Sequence, residues 1–121
     1  MACILVVDDE EAVLNLAGLV LSRAGHEVVS ASTSDEALNV ARESSRIDLV
    51  LLDMIIPGPP WNETLTSLLG IRPKMAWILS SGYSENDIRR SEGLTNDTLF
   101  LQKPYRTKDL IAIVAKALRT E

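Results

Sequence analysis

Leu49-Val50-Leu51-Leu52-Asp53-Met54-Ile55-Ile56-Pro57-Gly58-Pro59-Pro60 lies mid-chain in a protein of 121 residues, and its reading decides the fold. Leu49–Leu52 is apolar without interruption, as a strand covered on both faces should be. The strand ends at Asp53. The prolines and glycine that follow exclude helix and inner strand, so a loop must begin there. A polar residue where a doubly covered strand meets a loop is the usual setting of a ligand site in an open parallel sheet.

Reading outward, short β-type runs alternate with helical periodicity. Upstream, Cys3–Val7 and Glu27–Ala31 read as strands. Between them Val13, Leu16, Ala17, Val20 and Ala24 recur at helical spacing, and Gly25 is placed to terminate that helix as its C′ residue. Ser34 is positioned to cap a second helix, with Asp35 and Glu36 in its first turn, where the dipole favours carboxylates. Downstream, a third helix is expected from Asn62 or Glu63 to about Ile71, before Pro73. Ala76–Ser80 reads as a fourth strand. Ser84-Glu85-Asn86-Asp87 has the form of a capping box opening a short fourth helix that ends near Gly93. Thr98–Gln102 is expected to be the fifth strand, and Thr107 to cap a last helix reaching Leu118. Five βα units predict an α/β fold, a parallel sheet with helices on both faces, as one domain over residues 1–121.

The composition is that of an ordinary globule, 46% hydrophobic and 24% charged. A net charge of −5 argues against direct nucleic-acid or anionic-membrane binding, which needs a Lys/Arg footprint. The apolar runs are too short to span a bilayer, and the first runs straight into four acids instead of a cleavage site. The lone Cys3 allows no internal disulfide and is expected to be buried. The cytoplasm is the expected location.

The strand ends carry the chemistry. They bring Asp8-Asp9, Asp53, Ser80-Ser81-Gly82 and Lys103-Pro104 to one sheet edge. Three carboxylates there repel one another unless a cation offsets them. Hard oxygen donors suit Mg²⁺, which accepts a phosphate oxygen alongside its waters. Lys103 offers a point charge, and Ser80 a hydroxyl donor, to a phosphoryl group. Together these parts could transfer a phosphoryl group to a carboxylate. Taken singly they have plainer readings: the acid pair as a helix cap, Asp53 as a turn residue, Ser80 as structural, Lys103 as a solvated charge.

Four blocks, Val6-Val7-Asp8-Asp9-Glu10, Leu51 to Gly58, Leu79-Ser80-Ser81-Gly82-Tyr83 and Phe100-Leu101-Gln102-Lys103-Pro104-Tyr105, resemble the signature blocks of response-regulator receiver domains of bacterial two-component systems. The resemblance covers essentially the whole chain. It implies strand order 2-1-3-4-5 and phosphorylation on Asp53 by a histidine kinase or histidine phosphotransfer domain. It further implies Mg²⁺ ligation by Asp9, Asp53 and the Ile55 carbonyl, with Asp8 acting through water. Ser80 would be the switch hydroxyl, Lys103 the phosphate partner, and Phe100 the aromatic that turns inward. The Lys103–Pro104 bond would be cis, and the surface of helix 4, strand 5 and helix 5 would change partners. Such a domain promotes its own phosphorylation and hydrolysis without being a conventional turnover enzyme. The loop departs from the pattern, with Ile56 where Met or Leu is usual and Trp61 where glycine is frequent.

Two other classes are weighed. A constitutive pseudo-receiver would have lost an acceptor, acid or lysine, and none is lost. A Mg²⁺-dependent phosphohydrolase would need a second acid soon after the nucleophile, and Asp53-Met54-Ile55 lacks it. Leu16 and Leu19 fall to one side of the first helix with Ala12 and Arg23, and are expected to dock the partner. His26 reads as an exposed turn residue and Trp77 as strand core. Trp61 and Tyr83 read as packing or contact residues.

Overall fold

The computed structural model describes residues 2–119. Its elements are β1 (Cys3–Val7), α1 (Glu11–Arg23), β2 (Glu27–Ala31), α2 (Ser34–Glu43), β3 (Leu49–Asp53), α3 (Trp61–Ile71), β4 (Ala76–Ser81), α4 (Glu85–Ser91), β5 (Phe100–Gln102) and α5 (Thr107–Arg119). The strands form one parallel sheet in the order β2-β1-β3-β4-β5, as the resemblance implied. β1 and β3 occupy its centre, and every residue in both is buried. That is why those strands read as unbroken apolar runs.

Side chains alternate across the sheet. Leu5, Val7, Val50, Leu52, Leu79 and Phe100 pack on one face against α2 and α3, with Ile88 of α4 at the margin. Ile4, Val6, Leu49, Leu51, Ile78 and Leu101 pack on the other against α1 and α5. Truncating a fully buried residue such as Leu51 to Ala would cost about 2–5 kcal/mol, by lost transfer energy and the cavity left behind.

The local punctuation differs in detail from the sequence reading. Gly25 does follow α1 with φ +96°, the left-handed cap expected of it. Ala24, expected on the core stripe, is the exposed C-cap, and Leu21 takes its place in the core. Thr33, not Ser34, caps α2, its hydroxyl accepting from the Glu36 N–H at 3.1 Å. Ser34 is buried and bonds Thr64 of α3 at 2.8 Å. Ser84 begins α4 without a side-chain cap, and Thr107 lies inside α5. β5 is shorter than expected, because Thr98 and Leu99 stay outside it. α3 opens at Trp61, one residue earlier than expected, with Pro60 as its N-cap residue and no side-chain cap. His26 is half-buried, and its Nδ1 accepts the Ala2 N–H at 3.2 Å.

Gly58 ties the loop after Asp53 to α2. Its φ is +120°, and a Cβ there would lie 2.9 Å from the Ser34 Oγ. The Ser34 N–H also donates to the Pro57 carbonyl at 3.2 Å. Only glycine permits both the backbone angle and that approach.

Candidate functional site

At the carboxyl edge, β1 delivers Asp8 and Asp9, and β3 delivers Asp53. Asp8 is fully buried and Asp53 is 4% exposed, whereas Asp9 faces solvent. Carboxylate oxygens of all three lie within 4.8 Å of one another. Backbone turns hold two of them: Asp8 Oδ1 accepts the Glu10 N–H at 2.9 Å and Asp53 Oδ1 the Ile55 N–H at 3.1 Å.

Lys103 enters from the end of β5. Its N–H donates to the Ser81 carbonyl at 2.8 Å, and its bond to Pro104 is cis, as expected. Its Nζ donates to Asp8 Oδ2 and Asp53 Oδ2 at 2.9 Å each, and to Glu10 Oε1 at 3.0 Å. The plain reading of Lys103 as a solvated charge is overturned: its side chain is only 12% exposed, enclosed by three carboxylates.

Burial raises the Asp53 carboxyl above the ordinary carboxylate range; hydrogen bonds from Lys103 and Ile55 oppose this without cancelling it, and Asp8 adds repulsion. Burial alone would lower the Lys103 ammonium, but the bonds to Asp53, Asp8 and Glu10 outweigh it, so Lys103 is held charged. Asp8, Asp53 and Glu10 thus surround one ammonium, and Asp9 adds a fourth carboxylate to the same edge. That negative excess, made of hard oxygen donors with two carboxylates buried, fits a divalent cation of the Mg²⁺ type.

The two serines at the end of β4 lie on opposite faces. Ser80 pairs with Asp53 in register and follows the parity of Ile78, on the α1/α5 face. Its Oγ accepts from the Tyr105 hydroxyl at 3.0 Å. Burial pushes the Tyr105 phenol up to about 12, so it stays a donor. Ser81 follows the parity of Leu79, on the face that holds Phe100, and its Oγ accepts the Tyr83 N–H at 3.1 Å. Phe100 is 6% exposed, so its ring is already inside in this conformation and needs no inward turn to arrive there.

α4 has no buried residue. Polar bonds tie it down: Arg89 donates to the Thr95 and Thr98 carbonyls, Gln102 Oε1 accepts from the Glu85 N–H, and Trp61 Nε1 donates to Glu92 at 2.7 Å. Trp61, the first residue of α3, is therefore a link to the C-cap of α4. Trp77 is half-buried against the core, and Tyr83 is exposed. On α1, Leu16 and Leu19 are 42% and 51% exposed. Glu10, Ser81 and the Trp61–Glu92 bond were given no role in the sequence reading. Glu10 stood beside the acid pair, which was the one available signal.

The family model described as response regulator receiver domain matches residues 4–115. The chain is 30% identical to the Sensor kinase CckA of Brucella abortus over 99% of this chain and 13% of that protein. It is 34% identical to the Sporulation initiation phosphotransferase F of Bacillus subtilis, covering 95% of this chain and 92% of that one. The receiver domain structure from Methanospirillum hungatei superposes with a TM-score of 0.83 at 28% identity, over 99% of this chain and 95% of that one. Several relatives are much longer; the chain spans 49% of the Regulatory protein VanR of Enterococcus faecium. No helix among the described residues is long and apolar enough to cross a membrane.

Proposed function

This chain belongs to the response regulator receiver domain family, and from that premise we propose that Asp53 accepts a phosphoryl group from a phosphohistidine. The observation that carries this is Lys103 Nζ held 2.9 Å from Asp53 Oδ2 inside a cluster of three carboxylates. One Asp53 oxygen forms the new O–P bond while the donor's P–N bond breaks, and the imidazole leaves with that electron pair. Asp9, Asp53 and the Ile55 carbonyl would hold Mg²⁺, with Asp8 acting through a water. Bound there, the cation supplies neutralisation of the carboxylate and phosphoryl charges. Lys103 donates to a phosphoryl oxygen. In mass spectrometry after exposure to acetyl phosphate, one phosphoryl group is expected, on Asp53, and only when Mg²⁺ is present. Calorimetry should show a larger loss of Mg²⁺ affinity in Asp9→Ala than in Asp8→Ala; the reverse order would reassign the ligands.

The switch role passes from Ser80 to Ser81 in this reading. Ser81 shares the face of Phe100, whereas Ser80 is engaged by Tyr105 on the other face. With Phe100 already buried, the phosphoryl group would bias α4, which only polar bonds and marginal packing hold. Ser81→Ala should abolish phosphorylation-induced NMR shifts in α4 and β5. Ser80→Ala should preserve them and cost about 1 kcal/mol through the lost hydrogen bond. Full switching in Ser81→Ala would return the role to Ser80.

The donor would be a histidine kinase or histidine phosphotransfer domain in a bacterial cytoplasm, and relatives named as a sensor kinase and a phosphotransferase support that partner class. Leu16 and Leu19, exposed on the helix that follows the acid pair, would anchor it. Leu19→Arg puts a charge into a contact that must be desolvated. It should slow transfer from the kinase by about tenfold or more, leaving acetyl phosphate labelling and stability unchanged. Equal loss with both donors would mean damage to the site, and undiminished transfer would exclude this docking face. The output is a change of protein partners with no direct nucleic-acid contact by this domain.

A further inference from the structure

We propose that Glu10 is the exchangeable partner of Lys103, occupying the place that a phosphoryl oxygen takes over. The proposal rests on the acceptor reading of Asp53 and adds a residue to it. An ammonium has three N–H donors. In this structure each is aimed at a different carboxylate, Asp8, Asp53 and Glu10, at 2.9, 2.9 and 3.0 Å. A phosphoryl oxygen can reach Lys103 only by displacing one of them.

The three are not equally easy to displace. The side chains of Asp8 and Asp53 are 0% and 5% exposed, and that of Glu10 is 63% exposed. Separating Lys103 from a buried carboxylate leaves an uncompensated charge away from water. Separating it from Glu10 returns a carboxylate to solvent, where its pairing was worth little. Asp8 and Asp53 also belong to the cluster that can hold a cation, and Glu10 does not. The Glu10 side chain makes no capping hydrogen bond; its carbonyl, which Gln would retain, accepts from Val13 and Leu14. Glu10 therefore holds Lys103 in readiness and leaves when the phosphoryl group arrives.

The test uses beryllofluoride, a tetrahedral phosphoryl mimic, at saturating Mg²⁺. Glu10→Gln should bind it about two- to fivefold more tightly than wild type, the range open to a solvent-screened ion pair. Glu11→Gln makes the same charge change one residue further on, where no bond to Lys103 exists, and should bind as wild type does. The ¹⁵N signal of the Lys103 ammonium should differ between wild type and Glu10→Gln without the mimic and coincide with it bound. Equal gains in both variants would assign the effect to the general field and overturn the proposal. Unchanged affinity in Glu10→Gln, or a Lys103 signal that still senses Glu10 in the bound state, would overturn it too. Failure of the wild type to bind the mimic would overturn the acceptor reading, and this proposal with it.

Discussion

Asp53→Asn protein is expected to take up at least about a hundredfold less phosphoryl label from acetyl phosphate than wild type, because an amide oxygen lacks the anionic lone pair that attacks phosphorus. The neighbouring acids are poor substitutes. Asp8 has no exposed surface for a phosphoryl donor to reach, whereas Asp53 keeps 4%. Asp9 is exposed and makes no bond to Lys103, whose three donors go elsewhere. The substitution preserves shape, and the amide oxygen that replaces the carboxylate can still accept from the Ile55 N–H, so the fold should persist by circular dichroism. Intact-mass and peptide mapping would decide. Undiminished labelling, or wild-type label on Asp8 or Asp9, would remove Asp53 from its role.

Lys103→Ala should destabilise the metal-free protein by about 3–5 kcal/mol, the cost of leaving buried carboxylates without their counter-charge. The plain sequence reading of an exposed lysine gives only about 0–1 kcal/mol. The structure reverses that, because Lys103 is 12% exposed and bridges Asp8, Asp53 and Glu10. The loss should depend on conditions in two ways. Mg²⁺ replaces the missing charge and binds only the folded site, so it should recover much of the stability. Acid should help as well. Burial holds the Asp53 carboxyl above its unfolded value, so protonation favours the folded state. The penalty of the ionised form is present at high pH and is relieved as pH falls through the raised range. Losing Lys103 removes an opposing hydrogen bond and moves that range higher. Urea denaturation at neutral and mildly acidic pH, with and without Mg²⁺, would measure this. A loss below about 1 kcal/mol, indifferent to Mg²⁺, would mark Lys103 as a surface charge after all.

The element order and the sheet edge at which Asp8, Asp9, Asp53 and Lys103 meet were legible in the sequence. Apolar runs such as Leu49–Leu52, proline and glycine punctuation, and helical spacing in α1 are local signals, and parallel topology brings every strand's carboxyl end to one side. The strand order came from resemblance, since nothing in one strand names its neighbours; the sheet then showed the same order. Caps were less legible, because Thr33 and Ser34 can both cap and only the docking of Ser34 on Thr64 separates them.

What the tertiary structure alone decided is which face each side chain serves and how much water reaches it. Ser80 and Ser81 are identical in type and adjacent, and a strand covered on both faces has the same hydrophobic reading from either side. Only the packing of Leu79 with Phe100, and of Ile78 with Leu101, assigns their faces. Lys103 and Glu10 lie 93 residues apart. Composition gives each as a solvated charge, and folding makes one of them the largely enclosed centre of three carboxylates and leaves the other exposed at its rim. Sequence patterns record local backbone preference and which segments are apolar, whereas burial and charge pairing depend on segments that meet only when the sheet has formed.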